Sequence, residues 1–237
     1  RASQLAPCAY IKGHTIGPIS FGLTVTDQNK KASVYNPEFC ECMVKVLAMK
    51  ARWQVRKLRE AIDTGYRLQV TSHRLQEKTQ IIIFIDEPYL VSIGSSFFNI
   101  NAEEVVKMLN DLSAAIHQEG AFAGIHCCGN TDWSLVLKTN IDILNFDAYN
   151  YLDNLLLYRD ALRSFLNKNG ILAWGIVPTT AEGDLPAREV LLKKIGKQER
   201  PSLITPSCGL SGVSLERAQE ALALTCSIAR HLSSIVR

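Results

Sequence analysis

Short apolar runs rich in β-branched residues alternate along this chain with longer segments whose apolar positions recur at helical spacing. That is the pattern of βα units around a parallel sheet. Strands are predicted at Cys8 to Ile16, Ile81 to Asp86, Ala123 to Cys128, Ile141 to Phe146, Ile171 to Val177 and Ser202 to Pro206. Helices are predicted at about Pro37 to Ala61, Ala102 to Gln118, Asp132 to Thr139, Asn154 to Asn167, Pro186 to Gly196 and Ser214 to Val236. Asn36-Pro37 places proline at a first helical position, Asn101 and Ser214 are good N-caps, and Thr131 precedes the acidic Asp132. Gly120 and Gly170 fit C-terminal caps. The segment from Ala61 to Gln80 is the exception: Asp63-Thr64-Gly65-Tyr66 breaks the period, and the polar residues beyond it read as an extended helix pair or an insertion.

Runs such as Ile81-Ile82-Ile83-Phe84-Ile85 are apolar at every position, so these strands are covered on both faces, as in a barrel or a doubly wound sheet. Polar and reactive residues gather at the C-terminal strand ends: Asp86-Glu87, His126-Cys127-Cys128, Asp147, Pro178-Thr179 and Ser207-Cys208. An α/β barrel builds its active site there. No repeat, linker or low-complexity tract divides the chain, so residues 1–237 are expected to form a single α/β barrel domain.

Composition narrows the partners. The chain is 47% hydrophobic and 21% charged, which excludes disordered and fibrous classes. Its net charge of +3, spread evenly, argues against nucleic-acid or membrane partners. The seven cysteines are irregularly spaced and odd in number, unlike a secreted disulfide framework, and point to reduced thiols or metal ligands. With no long apolar run, and no charged start or apolar core at Arg1-Ala2-Ser3-Gln4, a cytoplasmic protein is expected.

His126 and Cys128 stand two apart at a strand end, so both side chains face one way and Cys127 the other. Cys208, at the end of another predicted strand, supplies a third soft donor. One imidazole and two thiolates suit Zn(II), and three protein ligands with a labile fourth position mark a catalytic rather than a structural site. Asp147, just beyond the intervening strand, is the candidate fourth ligand. The competing reading makes His126 and the cysteines packing residues. Cys40, Cys42, Cys8 and Cys226 are read as small apolar residues, and His73, His117 and His231 as solvated. His14 either reaches a ligand or satisfies a loop. In Asp86-Glu87-Pro88 the proline splays the two carboxylates, so that one of them pairs with a substrate ammonium or the pair serves as a cap or loop salt bridge. Gly129-Asn130 and Gly209-Leu210 allow backbone to approach a bound group closely, whereas Gly17-Pro18-Ile19-Ser20 and Gly94-Ser95-Ser96 lack phosphate-loop spacing.

Taken together, these motifs resemble the C-terminal catalytic barrel of cobalamin-independent methionine synthase and the superfamily it shares with uroporphyrinogen decarboxylase and corrinoid-linked zinc methyltransferases. The resemblance rests on residues 12–20 (KGHTIGPIS), Ile85-Asp86-Glu87-Pro88, His126-Cys127-Cys128-Gly129-Asn130, residues 142–147 (DILNFD) and Pro206-Ser207-Cys208-Gly209-Leu210, in the family's order. It implies a (β/α)8 barrel, zinc held by His126, Cys128, Asp147 and Cys208, and an Asp86 that contacts the amine of homocysteine. Glu87 and Asn130 would help position the head group, with His14 and Ser207 beside the substrate. Asp147 stands where methionine synthases usually carry Glu, Ser207 where they commonly carry Asp, and the His-Cys-Cys-Gly-Asn run is closer to the corrinoid-linked branch. The methyl donor implied is therefore a methyl-corrinoid, carried by a corrinoid protein, or methyltetrahydrofolate; the acceptor is a small-molecule thiol, homocysteine first. A coenzyme M-type methyltransferase and a non-catalytic corrinoid-binding accessory protein are the alternatives. The complete zinc set argues against decarboxylase activity.

The predicted strands match the later part of the family barrel, starting near its third strand. The barrel is thus expected to be incomplete at its N-terminus by roughly two of eight βα units, with the segment from Ala61 to Gln80 a candidate splice.

Overall fold

The computed structural model describes residues 8–68, 75–95, 99–179, 183–196 and 200–235. Six strands form one sheet in chain order: β1 (Cys8–Ile16), β2 (Leu75–Asp86), β3 (Phe122–Cys127), β4 (Ile143–Phe146), β5 (Ile171–Val177) and β6 (Ser202–Pro206). The helices are α1 (Pro18–Thr24), α2 (Pro37–Leu68), α3 (Ala102–Gln118), α4 (Trp133–Val136), α5 (Ala148–Leu156), α6 (Arg159–Asn167), α7 (Arg188–Ile195) and α8 (Leu215–Ile235). The chain is therefore α/β, and each ordered pairing from β1 to β2, β4 to β5 and β5 to β6 is parallel. Contacts cluster into two units: residues 1–125 with 139–142, and residues 126–138 with 143–237.

In the first unit β1 and β2 run in register from Ile11 opposite Ile81 to Ile16 opposite Asp86. Ile81 to Ile85 are all buried, as the continuous apolar run requires of a strand covered on both faces. A Cβ on Gly13 would meet Gln54 and Ile83 at 2.8 and 2.9 Å, so glycine lets β1 lie close under α2. At the far end of α3, Glu119 accepts from Arg52 at 2.7 Å and from Arg56 at 2.7 and 3.0 Å, tying α3 to α2.

In the second unit β4 packs edge-on between aromatic rings: Phe146 lies 5.9 Å from both Trp133 and Trp174. All of β4 is buried, and so is β5 apart from its first residue.

Several elements depart from the sequence pattern. Helix α2 continues through Asp63-Thr64-Gly65-Tyr66 to Leu68, because Val55 and Ile62, both buried, extend one apolar row, and a single glycine costs a helix only about 1 kcal/mol. Of the rest of the candidate splice, 75–80 begin β2 and 69–74 lie outside the described residues. The helix expected from Asn154 is two helices, the first begun early by Asp147 as N-cap. The helix expected over Asp132 to Thr139 is the single turn α4; its residues Trp133, Leu135 and Val136 are buried and Ser134 is half-buried. Asn101 and Ser214 cap as expected, accepting from Glu103 and Arg217, and Asn36, ahead of Pro37 at the first helical position, accepts from Phe39. Before β5 the left-handed residue is Asn169 (φ 67°), not Gly170, which instead abuts the Phe165 ring. No described helix is long and apolar enough to cross a membrane.

Candidate metal centre

The second unit brings together three of the four expected ligands. His126 lies at the penultimate position of β3, Cys128 one residue past its end, and Cys208 two residues past β6. Their donor atoms all lie within 4.8 Å of one another. The period of two holds: Cys127 is fully buried, its thiol directed to the Gly129 carbonyl, while its two neighbours are on the other side.

The tautomer of His126 follows from its neighbour. The Asn145 amide donates to the Ala173 carbonyl and to Thr205 Oγ1, both at 2.9 Å, which leaves its Oδ1 as acceptor. Nδ1 of His126 therefore donates to Asn145 Oδ1, at 2.6 Å, and Nε2 is the nitrogen free for a metal.

The electrostatics favour a cation. Burial alone would lower the pKa of His126, but its bonds to Cys128, Cys208 and Asn145, with the negative charge of Cys208, outweigh that and raise it from 6.5 to about 10. Cys208 is lowered, chiefly by the His126 bond acting against burial. Without a metal the cluster is thus an imidazolium among sulfurs. A divalent ion would take the place of that proton and leave the imidazole neutral, and one nitrogen with two sulfurs is a zinc donor set.

Asp147 is not brought into the cluster. It is 6% exposed and caps α5, accepting from the Asn150 backbone at 3.0 Å and from its side chain at 2.7 Å. The strand ends at Phe146, and the carboxylate is used by the helix that starts next. Ser207 is buried, its backbone N–H bonded to Val177 and its hydroxyl 3.4 Å from Thr179; Asn130 is exposed.

The remaining candidates belong to the first unit. His14 Nδ1 donates to Asp86 Oδ2 at 2.7 Å at the paired ends of β1 and β2, with the His14 side chain 69% exposed and that of Asp86 31%. Glu87 points elsewhere: it is fully buried and caps α1, with Ile19 N–H on Oε1 at 2.9 Å and Ser20 N–H on Oε2 at 2.8 Å. Its carboxylate is thus engaged by the chain itself, which is the cap reading of the pair rather than the substrate one. His117 is hydrogen-bonded through Nε2 to Asp142 at 2.7 Å rather than simply solvated; Cys42 and Cys226 are exposed, and His73 lies outside the described residues. A groove of about 850 Å3 beside α2 and α3, lined in part by Cys40, Val44 and Met108, contains none of these candidates.

No family model matches this chain, and no curated protein matches it in sequence.

The residues missed by sequence reasoning are Asn145 and Thr205. Asn145 was signalled, as the one amide in an otherwise apolar strand, Ile143-Leu144-Asn145-Phe146. A buried amide needs partners for both of its ends, and here one of them is a candidate ligand.

Proposed function

We propose that this protein is a zinc-dependent thiol methyltransferase of the methionine synthase and uroporphyrinogen decarboxylase type, with a (β/α)8 barrel plan. The observation that carries the reading is the convergence of His126, Cys128 and Cys208 within 4.8 Å. Three protein ligands leave a zinc coordination position for a substrate.

Zinc bound there would hold a substrate thiol as its thiolate at neutral pH. In the transfer the sulfur forms a bond to the methyl carbon, the bond from that carbon to the donor breaks with its electron pair staying on the donor, and the thiol proton passes to solvent. His126, through Nε2, and the two cysteines fix the position of the sulfur. Asn130 and Ser207, in the same unit as the cluster, flank the substrate. The acceptor is homocysteine and the donor a methyl-corrinoid in preference to methyltetrahydrofolate. We place the protein in the cytoplasm, where reducing conditions keep unpaired thiols available.

The test is zinc analysis of the purified protein, with methyl transfer followed from methylcobalamin and from methyltetrahydrofolate to homocysteine and to coenzyme M. Stoichiometric zinc and thioether formation are expected. Absence of zinc, with any activity unchanged in Cys208→Ala, would overturn the reading; transfer to coenzyme M alone would change the acceptor.

A further inference from the structure

We infer that Asn145 is the positioning residue of the metal centre, one side chain that both selects the ligating nitrogen of His126 and links the strand bearing His126 to the strand leading to Cys208. The inference rests on the zinc reading above and adds to it the residue that sets the geometry of the site.

Asn145 has a single carbonyl oxygen and one NH2 group, and the structure uses all of them. Oδ1 holds His126 Nδ1 at 2.6 Å. The amide nitrogen is held at 2.9 Å by the Ala173 carbonyl of β5 and at 2.9 Å by Thr205 Oγ1 of β6. Asn145 is 8% exposed, so none of these bonds exchanges readily with water. The donors fix which end of the amide faces His126. Reversing it would place NH2 against the imidazole and oxygen against the Ala173 carbonyl, setting acceptor against acceptor. The orientation is thus set from β5 and β6, and it sets the proton on Nδ1 of His126. Thr205 stands three residues before Cys208, so the same amide also restrains the approach of β6 to the second thiolate.

An outer partner of this kind aligns the ring and raises its basicity as a ligand, and its loss typically lowers metal affinity about 10–100-fold. Asn145→Leu keeps volume and removes every bond. Asn145→Asp keeps an acceptor for Nδ1–H. Thr205→Val removes one anchor of the amide while leaving the His126 bond possible.

The experiment measures zinc affinity by competition with a chromophoric chelator, and the Co(II) absorption spectrum, for wild type and the three variants, with circular dichroism to compare folding. We expect Asn145→Leu to bind zinc about 10–100-fold more weakly with a displaced Co(II) ligand-field band, and both Asn145→Asp, which keeps the His126 acceptor but sets an oxygen against the Ala173 carbonyl, and Thr205→Val to fall between it and wild type. A folded Asn145→Leu with wild-type affinity and spectrum overturns this inference alone. If Asn145→Leu does not fold, Thr205→Val decides it: wild-type affinity and spectrum there overturn it. Wild-type protein that binds neither Zn(II) nor Co(II) overturns the zinc reading and this inference together.

Discussion

Oε2 of Glu87 accepts from both the backbone N–H and the hydroxyl of Ser20, at 2.8 and 2.6 Å. The cap of α1 therefore comes from a residue 67 positions away, at the end of β2. Full burial raises the Glu87 pKa to about 7, against the lowering effect of the three hydrogen bonds it accepts. Across the window from 4.5 to about 7 the folded state holds a proton that the unfolded state has released, so this group's contribution to stability is greatest below 4.5 and is lost as pH rises through about 7. Urea midpoints measured across that window are expected to carry this downward component in wild type and to lack it in Glu87→Gln. Equal slopes in the two proteins would contradict it.

Gly17 closes that contact. A Cβ at this position would overlap the Glu87 carboxylate, and neither the fully buried Glu87 nor the buried start of α1 has room to retreat. Gly17→Ala is expected to cost about 1–3 kcal/mol by overpacking, read from urea denaturation. A neutral substitution would mean that the carboxylate can move.

Zinc binding requires neutral His126 and deprotonated Cys128 and Cys208, so affinity is expected to fall as pH drops, already through neutrality, with protons released on binding. Calorimetry in buffers of different ionisation enthalpy measures that release. His126→Ala and Cys208→Ala should each lose stoichiometric zinc, while Asp147→Ala should keep it and lose helix stability of about 0.5–2 kcal/mol as an N-cap deletion. Loss of zinc in Asp147→Ala with the fold intact would return the carboxylate to the ligand set.

Glu119, held well below the usual carboxylate range at about 2 by its bonds from Arg56 and Arg52, links α2 and α3. Its contribution is present above 4.5 and is lost as pH falls toward 2. Glu119→Gln is expected to unfold at lower urea than wild type at pH 7, with the gap narrowing in acid. Because these are solvent-facing ion pairs, added salt should narrow it too.

Local signals were enough for the strand cores, for the caps at Asn101 and Ser214, and for turning His126 and Cys128 to one side. Each follows from neighbours in the chain: an apolar run with no polar face, a capping side chain beside its helix, a period of two that turns alternate side chains together. Position in space decided the rest. Asp147 has the chemistry of a ligand, but the N-terminus of α5 begins beside it and takes the carboxylate. Glu87 has the chemistry of a substrate contact, but the free N–H groups of Ile19 and Ser20 lie against it. Asn145 is the one amide among the apolar residues of β4, and its partners Ala173, Thr205 and His126 come from three other strands. Sequence specifies which donors and acceptors a side chain carries. Which of them are met depends on groups from strands and helices distant in the chain, because hydrogen bonding is decided over about 3 Å, a separation set only by the packed fold.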